Sequence, residues 1–339
     1  MSEHVLVTGG TGFVGGWAVA ELLRRGYRVR AAVRDLTGAD TVRAAVAPVA
    51  ESTERLDFVQ LDLLSDTGWS EAMDGVDSVM HIAAQMGLTG DQDARRLIDV
   101  ARGGSQRVLD AATRAGIRRV VMTSAANAAS HSSYTVDDIS DETLWTDPDD
   151  PALIPYRRAK TLAEKSAWEF VETTSGAPEL TTVLPGAVFG PVLRAETVGS
   201  VSIIARMLAG RMPWIPRIGL EVVDVRDLVD LHIRALESPA AAGQRFLGTG
   251  EFLWMRDIAR TLRADLGTDA AKVSTRPAPD LLVRLAARRD TALAELIPAL
   301  GRKNRHSTAK AHELLDWRPR PARETVTDCA RSLFAHAIV

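Results

Sequence analysis

Eight residues near the amino terminus, Thr8-Gly9-Gly10-Thr11-Gly12-Phe13-Val14-Gly15, restrict the fold more than any other stretch of the chain. They follow a short apolar run, His4 to Thr8, and lead into Phe13 to Arg25, where apolar residues recur with helical spacing until Gly26 stops the pattern. A strand that turns through glycines directly into a helix is the opening unit of a dinucleotide-binding sheet. Gly9 and Gly12 let the backbone turn sharply and approach a pyrophosphate, and Gly15 lets the helix pack close to the sheet. The helix N-terminus, from Thr11 through Phe13 and Val14, offers unpaired N–H groups to the anion. Glycine triplets also occur in turns that bind nothing, so the reading rests on the strand before and the helix after.

Five further strands are predicted at Arg28 to Val33, Asp57 to Leu61, Ser78 to Ala83, Arg119 to Thr123 and Leu180 to Leu184, with helical stretches between them. Apolar strands alternating with helices predict a parallel sheet covered on both faces. Right-handed crossovers make it a Rossmann-type doubly wound α/β fold. Residues 1–190 are expected to form the dinucleotide-binding domain, with 221–248 returning to it through a strand at Glu221 to Val225. Residues 191–220 and 249–339 are expected to form a smaller, mainly helical C-terminal substrate lobe. Asp137 to Pro151 holds seven carboxylates, no basic residue and two prolines, and reads as an exposed loop.

Composition narrows the partners. A formal charge of -3 on 339 residues, 46% of them apolar, describes an ordinary globular chain. It argues against nucleic acid or an anionic membrane as the main ligand, the short basic run Arg302 to His306 reading as solvated surface. Cys329 is the single cysteine, so neither an internal disulfide nor a cysteine-based zinc site is expected, and a reducing cytoplasm fits. No apolar run approaches the ~20 residues of a spanning helix, and the first residues lack a signal core, so the amino terminus is expected to be the mature one. The seven histidines show no zinc-like spacing, and no metal is expected.

The end of the second strand selects the cofactor, because an acidic residue there binds a ribose 2′-hydroxyl but repels a 2′-phosphate. This chain reads Val33-Arg34. Arg34, aided by Arg43, suits the phosphate of NADP(H), and Asp35 falls one residue too late to serve the hydroxyl. After the third strand, Asp62 is placed to accept from the adenine amino group and Leu63 to pack on the ring, although Asp62 also suits a helix cap. Ala83 and Ala84 are small where backbone must pass a ribose, and Thr123 ends the fifth strand beside the same crevice. His81 reads as a strand-end histidine with a satisfied ring.

Pro155 opens a helix in which Tyr156 and Lys160 share one face. With three tyrosines and five lysines in the chain, random placement yields this spacing only about 0.04 times. The pair suits carbonyl reduction, in which the oxygen becomes an alkoxide as hydride reaches the carbon. A phenol titrating near ~10 exchanges its proton poorly at neutral pH, but an adjacent ammonium stabilises the phenolate. Lys160 is also placed to hold the cofactor ribose.

These residues, with Leu184-Pro185-Gly186-Ala187-Val188-Phe189-Gly190-Pro191, Val223-Asp224-Val225-Arg226-Asp227 and the closing Leu314 to Pro319, resemble the extended short-chain dehydrogenase/reductase family, in its dihydroflavonol reductase-like and aldehyde/ketone reductase branch. The likeness covers nearly the whole chain. It implies an NADP(H)-dependent oxidoreductase with Tyr156 as general acid/base and Lys160 as its electrostatic partner. It places Pro185, Gly186 and Val188 beside the nicotinamide, and makes a homodimer plausible.

One position departs from the family's pattern: the serine that polarises the substrate carbonyl falls on Ala125, whose methyl group donates nothing. Three readings stay open. Ser124 takes over, a nearby Asn127 or Ser130 substitutes, or Tyr156 acts without that donor. The expected reaction is reversible reduction of an aldehyde or ketone with apolar substituents, in a pocket drawing on Met86, Leu88, Phe189, Ile203, Met207 and Trp214. The alternatives are a sugar-nucleotide epimerase or dehydratase, against which Arg34 argues, and a non-catalytic NADP-sensing protein, which Ala125 keeps in play.

Overall fold

The structure is a computed structural model that describes residues 3–83, 91–131, 137–151, 153–195 and 199–339. The first half runs β1 (His4–Thr8), α1 (Phe13–Arg24), β2 (Arg28–Val33), α2 (Ala39–Ala50), β3 (Leu56–Gln60), α3 (Trp69–Met73), β4 (Ser78–His81), α4 (Asp91–Arg114), β5 (Arg119–Thr123), β6 (Ile139–Ser140) and α5 (Pro155–Thr173). There follow β7 (Glu179–Pro185), β8 (Ala187–Phe189), α6 (Val201–Leu208), β9 (Gly219–Asp224), α7 (Val225–Glu237), β10 (Arg245–Gly248) and β11 (Glu251–Trp254). The chain closes with α8 (Met255–Leu266), α9 (Asp280–Ala286), α10 (Thr291–Ala294), β12 (Arg305–His306), α11 (Ala309–Leu315) and α12 (Ala322–Ala335).

Seven parallel strands form the main sheet in the order β10-β7-β5-β4-β1-β2-β3. Alternation along each strand sends side chains to opposite faces. Val5 and Val7 pack with Val19 and Leu22 of α1, Val46 of α2 and Leu228 of α7. Leu6 faces the other way, toward Ala72 of α3, Val108 of α4 and Ala163 of α5. Both faces are dry, which is why these strands read as nearly continuous apolar runs. Strand order reverses between β1 and β4, and a crevice opens at the C-terminal ends of strands at such a reversal.

The strand expected at 221–225 does not rejoin this sheet. It lies in β9, which pairs parallel with β8 and antiparallel with β11 in a three-stranded sheet of its own. The cause is local: the chain bends at Gly186, where a Cβ would stand 2.4 Å from the Glu221 carbonyl oxygen, and β8 leaves β7 to pair with β9. The edge beside β7 is taken by β10 instead, with Phe246 opposite Val183. Around the smaller sheet, Phe189, Ile204, Met207, Val222, Ile258, Leu262, Val326 and Leu333 build a second core.

The segment from Asp137 to Pro151 is likewise more than an exposed loop. Asp137, Asp138, Asp141, Asp147 and Asp149 do face solvent. β6 within it pairs with β12, however, and the buried Glu142 accepts a hydrogen bond from Leu247 N at 2.9 Å. Thr146 donates to the Asn127 and Ser130 carbonyls at 2.7 and 2.6 Å, and the Arg245 guanidinium lies 3.6 Å from the Trp145 ring. Farther on, the fully buried Asp224 accepts from Arg226 N and Nε at 2.9 and 2.8 Å, and Arg226 also reaches Asp328. Trp317, 1% exposed, donates to the Asp227 carbonyl at 2.7 Å. These bonds give Asp224 and Arg226 structural work at the join of α7 and α12.

Candidate active site

Gly9 adopts φ 76°, a left-handed conformation that an L side chain rarely takes, and a Cβ there would meet Ala83 Cα at 2.8 Å. The turn closes through Gly12 N donating to the Gly9 carbonyl at 2.8 Å, and a Cβ on Gly15 would stand 2.0 Å from that same oxygen. Gly12 caps α1 without any side-chain hydrogen bond, and the first helical turn has no acidic residue. Helix N–H groups beside a bare backbone fit a diphosphate.

Thr8 ties β1 to β4 at the crevice: its Oγ1 accepts from Ala83 N at 3.2 Å and bonds His81 Nδ1 at 2.8 Å. Burial, reinforced by the positive charge of Lys160, lowers the His81 pKa to about 3, so the imidazole stays neutral. Ala84, Met86 and Leu88 lie outside the described residues.

Arg34 is exposed at the end of β2, and its guanidinium takes no hydrogen bond or ion pair among the described residues. Gln60 Nε2 donates to the Arg34 carbonyl at 3.1 Å and steadies the backbone there. Arg43 does not join it: its guanidinium donates to the Thr53 and Leu56 carbonyls at 2.8 and 3.1 Å and lies 5.3 Å from the Phe58 ring. Asp35 turns the other way, accepting from Thr37 N at 2.9 Å, a bond that holds its carboxyl below the usual range. Asp62 Oδ1 accepts from Leu64 N at 2.9 Å, so one oxygen shapes the turn after β3.

Pro155 occupies the first turn of α5, where a missing N–H costs nothing, and the helix carries Tyr156 and Lys160 to a cleft. That cleft is lined also by Leu63, His81, Ala83 and Thr123, and by Ser105 of α4. Lys160 Nζ donates to the Thr123 carbonyl at 3.4 Å. Burial lowers its pKa to about 8 against the opposing pull of the Glu164 carboxylate. The Thr123 hydroxyl points elsewhere. His232 Nδ1 donates to the Leu228 carbonyl at 2.8 Å, so its Nε2 accepts the Thr123 proton across 2.8 Å.

The groups expected to replace the missing serine are engaged. Ser124, 2% exposed, donates to Glu164 Oε2 at 2.6 Å. Ser130, fully buried, donates to the Ala126 carbonyl at 2.8 Å, receives Asn304 Nδ2 at 3.1 Å and bonds His306 Nε2 at 2.9 Å. Ala125 itself is extended, with φ -157° and ψ 146°, and the residue is 4% exposed. No motif singles out Glu164, although it follows Lys160 by the same four residues that separate Lys160 from Tyr156. Its buried carboxylate also accepts from Thr182 at 2.7 Å and Arg245 Nε at 2.8 Å, fixing α5 to β5, β7 and β10.

A second cleft runs over the glycine turn, lined by Gly10, Thr11, Gly12, Phe13, Leu193 and Arg194 among others. Pro185, Gly186 and Val188 lie at the β7 to β8 bend, outside both clefts, and Val14 packs against the first core. Of the expected pocket residues, Phe189 and Met207 belong to the second core and Ile203 packs against it, whereas Trp214 is 56% exposed. Among the described residues no group of three or more histidine, cysteine or acidic side chains is gathered as for a metal ion, and no helix is long and apolar enough to cross a membrane.

The model of the NAD dependent epimerase/dehydratase family matches residues 5–247. Cinnamoyl-CoA reductase 1 of Oryza sativa subsp. japonica is 36% identical over 264 residues, which cover 77% of this chain and 75% of that protein. Dihydroflavonol 4-reductase of Zea mays is 31% identical over 266 residues, covering 76% and 73%. The crystal structure of Gre2 from Candida albicans in complex with NADPH superposes with a TM-score of 0.81 over 98% of this chain and 99% of that one, at 24% identity. With its glycine turn, seven-stranded sheet and cleft-lining tyrosine and lysine, this chain belongs to the NAD dependent epimerase/dehydratase family, in its extended short-chain dehydrogenase/reductase branch.

Proposed function

We propose that the protein is an NADPH-dependent carbonyl reductase that converts an aldehyde or ketone reversibly to its alcohol. The observation that carries this reading is the single cleft shared by Tyr156, Lys160, Thr123, Ala83 and Leu63. NADPH bound along the glycine turn and this cleft supplies the hydride. Tyr156 donates its phenolic proton to the carbonyl oxygen as negative charge develops there, and takes it back in the oxidative direction. Lys160, which donates to the Thr123 carbonyl, stabilises the phenolate and would hold the ribose of the bound cofactor. Residues 191–220 and 249–339 supply the apolar side of the substrate site. Loss of NADPH absorbance with a panel of aldehydes and ketones tests the reading.

Arg34 carries the cofactor preference. Arg34→Ala is expected to weaken NADPH by about tenfold to a hundredfold, the worth of a charge-assisted contact, and to leave NADH within about threefold. Fluorescence titration with both nucleotides measures this, and equal losses would defeat the assignment.

The depressed lysine predicts a pH limit. As pH rises through about 8, Lys160 loses the ammonium that stabilises the phenolate. The kcat/KM for reduction, which reports the free enzyme, should therefore decline above that point. A profile that stays level to about pH 10, where an unperturbed lysine titrates, would show that Lys160 is not the controlling group.

Ala125 supports a second reading, a non-catalytic NADP-sensing protein. NADPH binding with no turnover of any carbonyl in the panel would establish it.

A further inference from the structure

Helix α9 is built inside out. It buries one side chain, Val283, and leaves Leu281, Leu282 and Leu285 at 68%, 58% and 45% exposure. Leu281 and Leu285 lie one turn apart on the face opposite Val283, so the larger apolar side of the helix points to solvent. The segment that carries Trp214, itself 56% exposed, is fastened to the approach to α9. Ile215 N donates to the Arg276 carbonyl and Ala278 N to the Ile215 carbonyl, each at 2.8 Å, and Arg217 is ion-paired with Asp280 at the helix start. Large apolar side chains concentrated on one surface mark a contact with something other than water.

The charge around these side chains is mainly of one sign. Between residues 272 and 303 the chain holds seven basic residues and three acidic ones, against a formal charge of -3 for the whole. Arg284 sits between the leucines, and Arg288 and Arg289 follow in the turn after the helix. All three are exposed, and their guanidinium groups take no hydrogen bond or ion pair among the described residues. A protein partner would need a groove shaped to this ridge, whereas a lipid interface adapts to it. Leucines beside arginines, whose stems reach past them to phosphate, are the pattern of a helix that lies in a headgroup layer.

We propose that α9 and the turn after it are a docking surface for an anionic lipid bilayer. Leu281, Leu282 and Leu285 enter the headgroup layer, and Arg284, Arg288 and Arg289 meet lipid phosphates. The contact is peripheral and reversible, because a few leucines and arginines anchor a chain only weakly. It is independent of the reaction proposed above.

The test is sedimentation of the whole chain with vesicles of phosphatidylcholine alone, and of phosphatidylcholine with about 30% phosphatidylglycerol. Binding to the anionic vesicles should be at least about tenfold tighter, and should weaken as salt rises. Leu281→Ser combined with Leu285→Ser should lower that binding by about tenfold or more. Arg284→Glu combined with Arg288→Glu and Arg289→Glu should abolish the preference for phosphatidylglycerol. An NADPH affinity within about twofold of wild type shows that each variant is folded. Equal binding to both kinds of vesicle, or binding to neither, would overturn the proposal. So would a leucine variant that keeps wild-type binding to the anionic vesicles: if its KM for a soluble aldehyde rises, the face belongs to the substrate site, and if it loses an assembly that the wild type forms, the face belongs to a second copy of the chain.

Discussion

Tyr156→Phe is expected to lower kcat for carbonyl reduction by roughly 10² to 10⁴, the usual worth of a positioned general acid, while NADPH affinity stays within about threefold. The substitution removes one oxygen and leaves the ring that lines the cleft with Leu63 and Thr123. Folding and cofactor binding therefore should survive, and the loss belongs to the chemical step. Stopped-flow or steady-state loss of NADPH absorbance reads the rate, and fluorescence titration reads the affinity. Substrate-dependent oxidation at an undiminished rate would remove Tyr156 from the reaction. A fall in kcat matched by an equal fall in affinity would instead make it a binding residue.

Ala125→Ser runs in the opposite direction. An oxyanion-site donor is worth about 10² to 10³ in rate, and Ser124 and Ser130 both give their hydroxyl protons to other acceptors. Residue 125 is extended, so a serine enters without backbone strain. The substitution should raise kcat at least about tenfold on simple ketones, with the larger gain for the less electrophilic carbonyl. No gain would mean that another group already polarises the oxygen, and would end the reading in which Tyr156 acts without that donor. A gain in Ala125→Ser that vanishes in the double variant with Tyr156→Phe would show that both groups act on one oxygen.

Features set by neighbours along the chain are legible in the amino-acid sequence. The glycine turn, the strands β1 to β5 and β7, and the shared helix face of Tyr156 and Lys160 depend on spacing over a few residues, and spacing is what a sequence displays. Those set by distant pairing are hidden. Nothing local distinguishes β9, which joins β8 and β11, from β10, which joins β7, because both are short apolar runs. The acidic stretch after residue 137 reads as solvated on composition, yet Glu142 is buried against Leu247 N, more than a hundred residues on. Arg43 stands close enough in sequence to help Arg34, but the α2 to β3 turn claims its guanidinium. Arg194 carries no motif, and its bond to the Thr11 carbonyl spans 183 residues of chain.

The buried Glu164, two turns beyond Tyr156, has its counter-charge on Arg245, which reaches it from the sheet's outermost strand. A lone partner in such a pair is strongly destabilising, so neither can be inherited without the other. Helix α5 is therefore moored from almost the last residues that the family model spans, and a fragment ending before them would carry Tyr156 and Lys160 with no foundation beneath them. The helix that carries Tyr156 and Lys160 is thus anchored by the whole breadth of the sheet on that side, and is not a cassette to be lifted out of it.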